Sequence, residues 1–158
     1  ITAFAHEHGV SVEAELGEVG GKNGVHDPSA RTNPEDAAQF VADTGVDLLA
    51  VAVGSSHAMA TREAVLDNQL IAAIHELVPV PLVLHGSSGV PDEGMVAAIQ
   101  AGMTKINVST HLNVVFTQGV RQILDANPKI VDPRKYVGPA THLVQEEVER
   151  LMRLYAQA

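Results

Sequence analysis

Two histidines, His57 in "AVAVGSSHA" and His85 in "PLVLHGSSG", each follow a short apolar run and sit beside glycine and serine. Imidazole nitrogen is a good zinc ligand, and two such groups at neighbouring strand ends could meet on one ion while leaving a position for a substrate oxygen. The sequence holds no cysteine, which excludes disulfides and thiolate ligands; a metal site here must use histidine, carboxylate, carbonyl or water. The turns "HGSSG" (85–89) and "NVST" (107–110) offer backbone N–H groups and hydroxyls just ahead of a helix, a combination that can wrap a phosphate. In "VEAELG", Glu13 and Glu15 are two residues apart, so both carboxylates leave one face of a strand. The other six histidines carry less signal. His6 and His8 fit a helix end, His75 and His142 fall in helical patterns, His26 and His111 are in or near loops, and none of them is expected to be a ligand.

These groups need elements that end together. "TAFAHEHGV" (2–10) reads as the last turns of a helix closed by Gly9, and "VSVEAELG" (10–17) alternates as a strand does. A glycine-rich loop, "GEVGGKNGVHDPSART" (17–32), follows. Asn33 is placed to cap a helix with Pro34 at its first position, and "PEDAAQFVADTG" (34–45) should then end at Gly45. The pattern repeats as "DLLAVAVG" (47–54) with "DNQLIAAIHELV" (67–78), "PLVLHG" (81–86) with "MVAAIQAG" (95–102), and "KINVST" (105–110) with "NVVFTQGVRQILDA" (113–126). A final amphipathic helix, "THLVQEEVERLMRLYAQA" (141–158), closes the chain. Short, nearly continuous apolar strands separated by helices are how parallel strands covered on both faces are written.

Four β/α units can form half of an eight-fold barrel or a small doubly wound sheet. Two glutamates on one strand face are tolerable at a barrel mouth and costly beneath packed helices, and no G-x-G-x-x-G follows any strand, so the barrel is preferred. In either architecture function sits at the C-terminal strand ends, where His57, His85 and both Gly/Ser turns lie. A half barrel would leave two strand edges to be covered.

At 158 residues with 46% hydrophobic content, the chain can bury a core of its own. A net charge of -9 argues against nucleic acid or an anionic membrane as partner and leaves a small molecule as the expected one. No apolar run approaches the roughly 20 residues of a membrane span. The opening "ITAFAHEHGV" has neither the pattern of a signal peptide nor a Met, so the chain is expected to begin in mid-protein and to work in the cytoplasm.

Taken in order and at these separations, "SVEAELGEVGG", "AVAVGSSHA", "LVLHGSSGVPDE" and "KINVST" resemble the class II, zinc-dependent ketose-bisphosphate aldolases, the fructose- and tagatose-bisphosphate aldolase family of TIM (β/α)8 barrels. The resemblance covers residues 1–158 and implies that they form the C-terminal half of one barrel domain, about its last four β/α units. It implies that His57 and His85 are two of three zinc ligands and that Glu15 serves a second or alternative metal position. It further implies that Ala58, Gly86, Ser87, Ser88, Asn107, Val108, Ser109 and Thr110 bind the substrate, with a monovalent cation near the phosphate, and that Asn107 also touches the enediolate. The implied reaction is reversible cleavage of a ketose 1,6-bisphosphate to dihydroxyacetone phosphate and an aldehyde, in a homodimer or homotetramer. Zinc would draw charge from the enediolate while the phosphate grip fixes the substrate in place.

Three features depart from the family pattern. The third zinc histidine, and the aspartate before it, would come from an earlier strand that this sequence does not contain, so the fragment alone is expected to be inactive. The glutamate usual in the loop after the first strand is replaced by Lys22 and Asn23, and neither is an obvious proton carrier. Ala58 and Ser87 stand where smaller residues are usual and are expected to crowd the phosphate pocket slightly. The missing loop carboxylate keeps a second reading open: a non-catalytic sugar-phosphate-binding protein on the same pocket.

Overall fold

A computed structural model of the chain describes residues 1–17, 30–57, 59 and 61–156. In chain order the elements are α1 (Thr2–Glu7), β1 (Glu13–Leu16), α2 (Pro34–Thr44), β2 (Leu48–Val51), α3 (Asn68–Leu77), β3 (Leu82–Leu84), a 3-10 turn (Ser87–Gly89), α4 (Asp92–Gln100), β4 (Met103–Ile106), α5 (Thr110–Ala126) and α6 (Arg134–Ala156). The four strands form one parallel sheet in sequential order β1-β2-β3-β4. A doubly wound sheet reverses its strand order at a switch point, whereas a barrel adds each strand to the last, so this order is that of barrel staves.

Local chemistry sets the helix ends. The Asn33 side chain accepts a hydrogen bond from the Asp36 N–H at 3.0 Å, Pro34 opens α2, and Gly45 closes it in the left-handed region at φ 65. Asp67 caps α3 in the same way through the Leu70 N–H. Three helices start earlier than their apolar patterns suggest, one of them α5, which begins at Thr110, the residue expected to end the last strand segment. Asp92 and Glu93 supply an acidic first turn to α4. In α6 the first turn begins at Arg134, whose N–H donates to Asp132 Oδ1 at 3.0 Å, and the helix continues through Pro139. Pro139 forfeits one backbone bond, but its neighbour Ala140 is fully buried, so packing of this turn outweighs the local preference.

The two-residue period of the strands separates two kinds of surface. Leu49, Val51, Val53, Leu82 and Leu84 are buried and pack with α2, α3 and α4 through Ala37, Val41, Ile71, Ile74, Met95 and Ala98. The intervening residues Ala50 and Val83 are equally buried but lie outside that cluster, on the opposite face. Register pairs Glu15 with Ala50, Ala50 with Val83, and Val83 with Lys105. That second face therefore carries Glu13 and Glu15, then His85 beyond Val83, then Lys105 and Asn107. A register shift between Leu82 and Val83 lets Met103 stay in the helix-side core while Lys105 joins the polar face.

Candidate active site

The polar face gathers at the C-terminal strand ends. Thr32 ties β1 and β2 there: its buried hydroxyl donates to Leu16 O at 2.7 Å and accepts from the Ala52 N–H at 2.8 Å. Gly86, immediately after β3, has φ 66, and a Cβ on it would lie 2.7 Å from the carbonyl carbon of Ser56. Only glycine accepts both the backbone conformation and this approach, which lays the β3 loop on the β2 loop. As a result the His57 and His85 rings stand 6.0 Å apart, centroid to centroid.

His85 is held between two carboxylates. Its Nε2 lies 2.9 Å from Glu13 Oε1 and its Nδ1 3.0 Å from Glu15 Oε2. Carboxylates only accept, so a protonated ring satisfies both contacts, whereas a neutral imidazole satisfies one by its single N–H and leaves its other nitrogen, beside a carboxylate, able to ligate a cation. Lys105 Nζ donates to Glu13 Oε2 at 2.8 Å and to Asn107 Oδ1 at 2.7 Å. Burial works to raise the Glu13 carboxyl, but hydrogen bonds from Lys105 and His85 outweigh it and hold it below the usual carboxylate range.

A cavity of about 310 Å³ opens beside the histidines, lined by His57, His85, Gly86, Ser88, Asn107, Val108, Ser109 and Thr110. Of the expected substrate-binding residues that are described, all but Ser87 are on that lining. Ala58, Lys22, Asn23 and His26 lie outside the described residues. Ser87 is buried, and its hydroxyl donates to the Asn107 carbonyl at 2.5 Å, so the side chain pins the β3 loop to the β4 loop rather than crowding the cavity. Ser88 Oγ accepts from the His111 N–H at 3.1 Å, a second tie between the same loops. His111 lies in the first turn of α5, next to the loop that precedes it.

Among the described residues, no group of three or more His, Asp and Glu is arranged to enclose a metal ion. Two imidazoles with a carboxylate at hand form a partial donor set of the nitrogen and oxygen type that zinc takes, with a further ligand still to be supplied. Lys105 faces the site although it is not among the expected site residues, and Glu13, expected to share a strand face with Glu15, proves to be the partner of both His85 and Lys105. The signal for Lys105 was present: a lysine within an apolar strand, two residues before Asn107.

Sequential parallel staves, with two imidazoles and a cavity lined by Gly86, Ser88 and Ser109 at their C-terminal ends, place the chain in the β/α-barrel class. Comparison with known proteins makes this specific: the family model "Fructose-bisphosphate aldolase class-II" matches residues 1–158, and the chain belongs to that family. Among solved structures it is similar to the YdjI aldolase from Escherichia coli K12, at 32% identity and a TM-score of 0.74, covering 98% of this chain and 51% of that one. A Coccidioides immitis protein crystallised as a candidate fructose-1,6-biphosphate aldolase gives 29% identity and a TM-score of 0.80 over 98% of this chain and 55% of that one. Fructose-bisphosphate aldolase from Campylobacter jejuni, at 22% identity and a TM-score of 0.80, shares the fold over 98% of this chain and 54% of its own. The chain thus spans about half the length of these solved relatives, and its four units are part of a TIM barrel.

Proposed function

We propose that this chain is the C-terminal half of a class II aldolase barrel and supplies two zinc ligands and the phosphate grip for reversible cleavage of a ketose 1,6-bisphosphate. The observation that carries the reading is the placement of His57 and His85, 6.0 Å apart, on the same cavity wall as Gly86, Ser88, Asn107, Val108, Ser109 and Thr110. His57 and His85 would hold zinc, with Glu15 as a second or alternative ligand and Glu13 orienting the His85 ring from its other nitrogen. When bound, zinc supplies Lewis-acid stabilisation of the charge left by carbon–carbon cleavage. Backbone and hydroxyl donors of the two loops hold the substrate phosphate, with a monovalent cation beside it, and Asn107 donates its amide N–H to the substrate oxygen that gains charge. The complete protein would work as a homodimer or homotetramer in the cytoplasm. Among the described residues no helix is long and apolar enough to cross a membrane.

The test is the full-length gene product with fructose and tagatose bisphosphates, before and after chelation, with bound metal measured. Cleavage that disappears on chelation and returns with zinc is expected. Zinc-loaded protein that cleaves neither sugar would remove the catalytic reading.

A second reading, a sugar-phosphate-binding protein without catalysis, is favoured by Lys22 and Asn23 where the loop carboxylate is usual. It predicts tight binding of dihydroxyacetone phosphate with no exchange of its carbon-bound proton into heavy water. The aldolase predicts exchange.

A further inference from the structure

The two loops of the cavity are braced from outside by α6, a helix with no residue on the cavity lining. The brace begins at His111, the second residue of α5, whose N–H donates to Ser88 Oγ at 3.1 Å. The ring of the same residue brings Nε2 to 2.6 Å from Glu147 Oε1 on α6. Glu147 also accepts from Arg150, at 2.9 Å from Nε and 2.8 Å from Nη2. Arg150 Nη1 donates to Asp92 Oδ2 at 2.6 Å at the start of α4, and Asp92 Oδ1 accepts from Arg62 Nη2 at 2.5 Å. Arg62, from the segment between β2 and α3, donates in turn to the Val90 carbonyl from Nε at 3.0 Å and Nη2 at 2.8 Å. The contacts therefore run from α6 to all three segments that follow β2, β3 and β4.

Exposed ion pairs contribute little, so the outer members, Arg150 at 42% and Asp92 at 35% side-chain exposure, are secondary. The inner pair differs, with His111 at 22% and Glu147 at 16%. An imidazole N–H withdrawn from water needs an acceptor, and a carboxylate at 2.6 Å fixes the ring and with it the first turn of α5. That turn carries Thr110 on the cavity wall and the amide that holds Ser88, so its position sets the spacing of the two loops.

We propose that Glu147, acting through His111, is a positioning residue for the anion-binding end of the cavity. The proposal rests on the reading that the cavity takes the substrate's phosphate. It adds that the grip is set by a helix outside it.

The test uses the full-length protein and inorganic phosphate as probe. In Glu147→Gln and in His111→Asn the Kd for phosphate should rise about tenfold, with the KM for the bisphosphate rising alike and kcat within about threefold, because misplaced binding groups cost affinity before chemistry. The double variant should lose no more than either single one, as expected when two residues act through one contact. Simple destabilisation would instead reduce the active fraction, lowering kcat and leaving Kd and KM unchanged. Unchanged phosphate affinity in a folded Glu147→Gln protein, or additive losses in the double variant, would overturn the proposal. Should Glu147→Gln not fold, His111→Asn carries the same measurement. Wild-type protein that binds phosphate but cleaves no ketose bisphosphate removes the aldolase reading and leaves this proposal intact; wild-type protein that binds no phosphate removes the proposal.

Discussion

Lys105 Nζ donates to the side-chain oxygen of Asn107 at 2.7 Å, and this contact fixes which way the Asn107 amide faces. Lysine has no acceptor, so the atom turned towards it must be Oδ1, and the NH2 group is left as the end available to a substrate. The Asn107 backbone is committed as well: its N–H donates to Leu84 O at 3.1 Å and its carbonyl accepts from Ser87.

Lys105→Met should therefore free the amide to turn and remove its donor from the substrate oxygen for part of the time. We expect kcat to fall by roughly 10-fold to 100-fold, somewhat less than outright loss of an oxyanion-stabilising donor. Metal content should stay at the wild-type level. A fall in bound zinc that accounts for the whole loss of rate would show that Lys105 acts through Glu13 and His85 instead.

Removing an imidazole or its orienting carboxylate should act on metal first. His57→Ala and His85→Ala are each expected to abolish stoichiometric zinc. Glu13→Gln, which leaves both histidines in place but weakens the partner of His85 Nε2, should cost about 10-fold to 100-fold in zinc affinity. Competition against a chelator of known affinity measures both, and retention of full zinc in His85→Ala would exclude that residue as a ligand.

The Glu147 carboxyl is lowered from 4.5 to about 2, by hydrogen bonding from Arg150 against the opposing effect of burial, with His111 adding to the lowering. A carboxylate whose folded pKa is depressed stabilises the fold above its unfolded value, and that stability is lost as pH falls towards the folded one. Wild-type protein should lose this contribution between pH about 4.5 and about 2. Glu147→Gln should be less stable at pH 7 and should show a shallower fall across the same acid range. Urea midpoints at several pH values give the comparison; parallel curves for the two proteins would contradict it.

Gly86→Ala tests the contact that brings the two histidine-bearing loops together. The added Cβ meets the Ser56 carbonyl carbon at 2.7 Å in a backbone conformation at φ 66. Strain and overlap together should destabilise by about 2 kcal/mol or more, read as a lower urea midpoint. Gly9→Ala is the control, since it carries the same kind of φ, 69, with nothing within 4 Å of the added atom. It should cost about 1–2 kcal/mol from the backbone alone.

Much of the frame was legible in sequence because its causes are local. Asn33, Pro34 and Gly45 bound α2 through a side-chain cap, a fixed φ and a left-handed residue, each readable from one residue type. The helix start at Arg134 was not legible, because Pro139 locally argues against it and only the burial of Ala140 decides the matter.

The site divides along the same line. By itself the sequence determined the parallel β/α order and the strand ends at which His57, His85 and the segments 85–89 and 107–110 come to lie, since strand period and residue type are properties of short segments. Only the tertiary structure decided that His85 stands between Glu13 and Glu15, that Lys105 orients Asn107, that Ser87 turns away from the cavity, and that Glu147 reaches His111 from 36 residues away. Lys105 and Asn107 are two residues apart, but the other contacts join different strands, loops and helices and depend on sheet register and helix packing, which no short segment of sequence contains.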